Sequence, residues 1–156
     1  MSTKNPDILK PLIDEIETNI VNRDRRKAKI SQSDVAWQLD HALKVINRVS
    51  DTLIASNPEA YSSNFNAGRV FTLTGGYIPR GVAKSPDVVR PPEIILTEDL
   101  KAQVQEARKN IAKMKDLSNS ANFTHFAFGQ MDKAQTIRFL EVHTKHHLKI
   151  VRDILK

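Results

Sequence analysis

The sequence has no cysteine. That removes a disulfide framework, a thiolate metal site and a cysteine nucleophile together. Any metal ligand must then be histidine, carboxylate or water. Long apolar runs are missing too: none reaches bilayer-spanning length, and residues 1–6 carry nothing like a signal-peptide core. A cytoplasmic protein with no membrane partner is expected. Aromatic residues make up 6% of the chain and do not interleave with the cations. No helix-turn-helix signature, RNP motif or zinc-finger spacing is present, so nucleic acid is not expected as a partner despite the net charge of +6. The densest basic run, Arg23 to Lys29, falls at the end of a predicted helix, where cations complement the helix dipole. With no internal repeat or low-complexity segment, the 156 residues read as one domain over residues 1–156.

What is present is helical periodicity. Ile8, Leu9, Leu12, Ile13, Ile16, Ile20 and Val21 predict a first helix over about residues 6–27. Ser31 or Ser33 is the expected N-cap of a second helix, with Asp34 in its first turn and a stripe of Val35, Leu39, Leu43, Ile46, Val49 and Leu53. Asn57 and Pro58 suggest a short helix running to about residue 65. Residues 68–92 have the least helical character; Val70 to Ile78 reads as a small hairpin turning on Gly75 and Gly76, and four prolines exclude regular structure from the remainder. Thr97 is the expected cap of a third helix with a seam of Leu100, Val104, Ala107, Ile111 and Met114. Phe123 to Gly129 reads as irregular, and Asp132 with Gln135 as a capping box opening a last helix to about Leu155. Four amphipathic helices, with a crossover of about forty residues between the second and third, give an all-α four-helix bundle.

The last helix concentrates chemistry. His143 and His147 stack one turn apart on its apolar face, sharing it with Thr136, Phe139, Leu140, Ile150 and Ile154, and His146 sits at the flank. Imidazoles on an inward face are costly without partners, and H-x-x-x-H is the helical spacing that offers both to one metal. The alternative is a pair of half-exposed histidines near a helix end. On the second helix His41 shares a side face with Trp37, Val45 and Arg48; it is either exposed or aimed into a cleft that Trp37 walls. In the crossover, Arg80 and Lys84 are candidates to meet an anionic ligand, against the plainer reading of solvated loop charges.

Gln38-Leu39-Asp40-His41, His125-Phe126-Ala127-Phe128-Gly129 and His143-Thr144-Lys145-His146-His147, in that order, resemble the motifs of the DinB/YfiT-like superfamily of metal-binding four-helix bundles. The likeness is to a bacterial branch known as a domain of unknown function, with Phe126 standing where that branch usually has proline. The resemblance implies a three-histidine site, His41 with His143 and His147, for a divalent metal, zinc or nickel. His146, His125 and Gln38, which stand in those motifs, are expected to support the ligands from behind or to line the cleft, as is Trp37 from its place one turn before His41. Three imidazoles leave coordination positions open, and the resemblance implies a metal-dependent S-transferase acting on a low-molecular-weight thiol, in a chain that forms a homodimer. The alternatives are a metal-dependent hydrolase on the same site and a non-catalytic stress or interaction bundle. No catalytic residue is identified, because Glu141 lies nearly opposite the histidine face and Asp40 on a face other than that of His41.

Overall fold

Five α-helices and one two-stranded hairpin make up the regular structure of the computed structural model, which describes residues 5–81 and 85–156. The protein is mostly helical, and among the described residues no helix is long and apolar enough to cross a membrane.

The first apolar segment is broken into pieces. Asn5 caps a 3-10 turn, Pro6–Leu9, which runs into α1, Lys10–Thr18, with Pro11 in the first turn, where its missing N–H is not needed. The helix expected to reach residue 27 ends earlier. The Thr18 hydroxyl and the Asn19 amide donate back to the carbonyls of Asp14 and Glu15, and the backbone tightens into a 3-10 turn, Asn19–Asn22. The basic run therefore lies beyond the helix and does structural duty. Arg23 donates to the Thr97 hydroxyl and the Ile95 carbonyl, and the carbonyls of Arg23 and Arg25 accept from Ala36 and Val35 at the start of the next helix.

That helix, α2 (Val35–Ala55), is capped by Asp34, whose carboxylate accepts from the Trp37 N–H at 2.8 Å, so neither Ser31 nor Ser33 is the cap. It ends where Asn57 must be extended ahead of Pro58. Only a 3-10 turn, Pro58–Ala60, forms of the short helix expected to run to residue 65.

The expected crossover hairpin is instead a helix, α3 (Ala67–Gly75), capped by Asn66 and closed by Gly76 at φ 66°. A left-handed glycine ends a helix as readily as it makes a tight turn. Arg138 fixes this end, donating to the Leu73 carbonyl at 2.9 Å and lying so close that a Cβ at Gly76 would meet its guanidinium at 2.8 Å. After a 3-10 turn, Asp87–Val89, α4 spans Thr97–Met114 with its five seam residues buried. Thr97 is the first helical residue and Leu96 the cap position; the hydroxyl expected to cap is taken by Arg23.

The stretch expected to be irregular forms an antiparallel hairpin, β1 (Phe123–His125) with β2 (Gly129–Met131). Buried Arg69 ties the crossover to it, donating to the carbonyls of Phe128 and Gln130 and to both oxygens of Asn64. The Asp132–Gln135 capping box opens α5, Lys133–Leu155, as expected. Helix α2 packs against α4 and α5, α1 packs against the same two, and α3 rests on α5. One continuous core, with Ile13, Ile16, Leu39, Leu43, Ile46, Leu100, Ile111 and Leu140 at its centre, fills the space between them.

Candidate metal centre

Packing of α2 on α5 places His41 opposite His143 and His147. One ring nitrogen from each lies within 4.8 Å of the others, so the three histidines could hold a metal ion. The ring centroids of His41 and His147, and of His143 and His147, are 4.6 Å apart; those of His41 and His143 are 5.1 Å apart. The ambiguous side face of His41 is thus an inward one, and both His41 and His147 are buried.

Two of the rings are held from behind. His41 Nδ1 lies 2.9 Å from the Val89 carbonyl and can only donate to it, and His147 Nδ1 lies 2.7 Å from Gln38 Oε1 on the same terms. Donation through Nδ1 fixes a neutral ring as the tautomer with its lone pair on Nε2. Gln38 is itself oriented, since its amide nitrogen donates to the Ser31 hydroxyl at 3.3 Å. His143 is different: its Nδ1 is sealed from solvent and has no hydrogen-bond partner. A buried, unsatisfied polar atom costs on the order of 1–3 kcal/mol.

The electrostatics agree with that donor set. Burial, reinforced by the neighbouring imidazoles, holds His143 and His147 well below the usual imidazole pKa. Burial also lowers His41, against the opposing pull of the Val89 bond and the Asp40 charge. Three neutral rings present lone pairs rather than positive charge. Trp37 stacks on His41 at 5.1 Å and Phe139 lies 5.6 Å from His143, so the flanks of the cluster are aromatic.

Among the described residues no acid joins the three. Asp40 is buried beside His41, but its carboxylate is held by Lys44 and accepts from Gln103 at 2.9 Å. Glu141 is held by Arg138 and Lys145 at 2.9 and 3.0 Å. His146 turns towards the crossover, where the Ile78 backbone and the Arg80 charge act on it, although its ring is edge-on to His147 at 4.9 Å. Arg80 pairs with Asp153 at 2.7 Å, and Lys84 lies outside the described residues.

The sequence model of the family described as a protein of unknown function, DUF1569, matches residues 14–154. The chain belongs to that family. No curated protein and no solved structure matches it. The matched span of this DUF1569 chain takes in all three histidines, Gln38 and Val89.

His125 stands apart in the hairpin. Its Nδ1 accepts from the N–H groups of Ala127 and Phe128 at 3.0 and 3.1 Å, and its ring is stacked between Phe126 and Phe128. Burial lowers its pKa to about 4, which keeps that acceptor available. Val89 is the contributor that sequence reasoning passed over. It acts through its carbonyl, and the only trace in the sequence is a Val-Val pair between prolines in an otherwise polar stretch.

Proposed function

We propose that His41, His143 and His147 ligate a divalent cation, zinc or nickel, within a four-helix bundle of the DinB/YfiT-like type, and that the centre serves transfer chemistry on a low-molecular-weight thiol. The observation that carries the reading is the convergence of three neutral imidazoles, two of them with Nδ1 tied to a buried acceptor. The pairwise packing of α1, α2, α4 and α5, joined by a long crossover between α2 and α4, supports the bundle assignment.

Bound there with positions left open, the cation would supply Lewis-acid chemistry, lowering the pKa of a thiol or polarising a carbonyl. The chain's own part is to hold three lone pairs in register. Gln38 and the Val89 carbonyl fix the rings of His147 and His41, and Trp37 and Phe139 keep water from the flanks. The missing acid favours a thiol over water as the activated group. With Asp40 held by Lys44 and Glu141 by Arg138 and Lys145, neither of these carboxylates is placed to take a proton from water at the cluster. A thiol, with a pKa near 8.5, needs far less help to ionise.

The test is the metal content of untagged protein purified without chelator, beside a His143→Ala/His147→Ala variant. Near-stoichiometric zinc or nickel is expected in the native protein and little in the variant. Native protein that stays metal-free after reloading with excess zinc or nickel refutes the centre. On loaded protein, consumption of a thiol together with an electrophilic acceptor is expected; ester hydrolysis that proceeds without thiol would move the assignment to a hydrolase.

A further inference from the structure

We propose that His125 is a substrate-binding residue of the metal centre, its Nε2–H donating to a carbonyl oxygen carried by the thiol bound there. The inference rests on the metal reading and adds to it the class of thiol: one with an amide or ester carbonyl near its sulfur.

Hydrogen bonding fixes the tautomer. Nδ1 accepts from the N–H groups of Ala127 and Phe128 at 3.0 and 3.1 Å, so it carries a lone pair and no proton. A neutral ring with a bare Nδ1 has its hydrogen on Nε2. That N–H makes no hydrogen bond among the described residues, and it is not sealed from solvent as His143 Nδ1 is. Asn or Asp would satisfy the two turn N–H groups from the same position. What an imidazole adds is a second nitrogen on the far edge of the ring, with a hydrogen to donate. Neither nitrogen bonds to His41, His143 or His147, so His125 does not orient a ligand from behind.

The donor is held still. Phe126 and Phe128 stack on the ring at 4.4 and 4.5 Å. Asn66 and Arg69 tie the turn to the start of α3 by donating to the Ala127 and Phe128 carbonyls. A group fixed before its ligand arrives loses little entropy in binding it.

Phe139 links this donor to the cluster. Its ring is edge-on to His125 at 5.0 Å and lies 5.6 Å from His143, so a single side chain separates the two imidazoles. His143 is half-buried where His41 and His147 are buried, so the cluster is most open at the histidine that shares Phe139 with His125. A ligand with its sulfur at the centre and its chain along Phe139 would bring an oxygen to Nε2. Burial keeps His125 neutral, so the donor sets no positive charge beside a bound cation. A carboxylate would exchange its hydration for one neutral donor among aromatic rings, which favours a carbonyl.

The test uses the zinc-loaded full chain, with 3-mercaptopropionamide and its carbonyl-free isostere 3-methylbutane-1-thiol as probes. His125→Asn keeps the turn acceptor and removes Nε2–H, whereas His125→Gln carries an amide N–H outward in its place. His125→Asn is expected to weaken the amide thiol about 3–10-fold, as loss of one hydrogen bond does, and the alkyl thiol by less than about twofold. Zinc content should be unchanged, and His125→Gln should recover part of the loss. In the wild-type protein, ¹⁵N shifts of the His125 ring should show the proton on Nε2, and Nε2 should move with 3-mercaptopropionamide and not with the alkyl thiol. That measurement needs no variant and decides the case if a substitution unfolds the hairpin. Equal effects on the two thiols, or a proton on Nδ1, overturn the proposal and leave the metal centre standing. A protein that takes up no metal overturns both.

Discussion

Replacing Gln38 is the sharpest probe of how the centre is held. Gln38 is buried, its Oε1 is 2.7 Å from His147 Nδ1, and its other amide end reaches Ser31. Gln38→Leu keeps the approximate volume and removes the acceptor. The His147 N–H is then buried without a partner, at a cost of about 1–3 kcal/mol, or the ring adopts the other tautomer and turns its lone pair away from the cluster. Either course weakens a cation held by that ring, and loss of such an outer partner typically lowers metal affinity about 10–100-fold, or roughly 1.4–2.8 kcal/mol. Gln38→Glu should move the other way. It keeps an acceptor at the same position and makes the bond charge-assisted, which raises the basicity of the imidazole. Competition against a chromophoric chelator gives the zinc affinity of wild type and both variants, and thermal unfolding of the metal-free proteins separates a folding defect from a ligand defect. Gln38→Leu is expected to bind about 10–100-fold more weakly and Gln38→Glu at least as tightly as wild type. Wild-type affinity in Gln38→Leu, with the protein folded, would refute the orienting bond and weaken the claim that His147 is a ligand.

Zinc at about 1,000 times its Kd should stabilise the native protein by about 4 kcal/mol, and His41→Ala should abolish that increment in thermal unfolding; an equal metal-induced shift in the variant would exclude His41 from the ligand set. Arg69→Leu strips a buried guanidinium from the Phe128 and Gln130 carbonyls and from Asn64, so a loss of about 2–4 kcal/mol is expected from urea unfolding, whereas a loss under about 0.5 kcal/mol would mean the tether is idle. His125 titrates at about 4 in the folded protein, below the unfolded value of about 6.5, so the unfolded chain takes up its proton first. Its contribution is complete above about pH 6.5, is lost as the pH falls towards 4 and is constant below that. His125→Asn keeps an acceptor for the two turn N–H groups without the titration, so its stability should decline less between pH 6.5 and 4; parallel curves would contradict the burial of that ring.

The parts of this molecule legible in the sequence are those written in side chains at a regular period. The seam of α4 and the inward face of α5 were visible because burial repeats every three or four residues, and the same period put His143 above His147. His41 was legible only as a choice between exposure and a cleft, because its side face becomes inward once α5 packs there, and that contact is tertiary. Where backbone conformation decides, side-chain reading failed in a consistent way. Gly75 and Gly76 signalled a residue with positive φ, and Gly76 has one, but a positive φ closes a helix as well as a hairpin. The true hairpin has strands of three residues, too short for alternation to register, and its turn is stabilised by an imidazole in the place where Asn or Asp is looked for. Arg69 carried no sign of burial in the sequence, yet it is buried, because the facing carbonyls of Asn64, Phe128 and Gln130 converge where one multiply donating guanidinium can satisfy them together. Val89 carries that rule into the metal centre: the crossover contributes a carbonyl, which any residue at that position would bring, and what the sequence must supply is a chain path that delivers it to His41. The three prolines from Pro86 to Pro92 stiffen that path and, by limiting the conformations of the free chain, reduce the entropy lost in docking Val89 beneath the histidine.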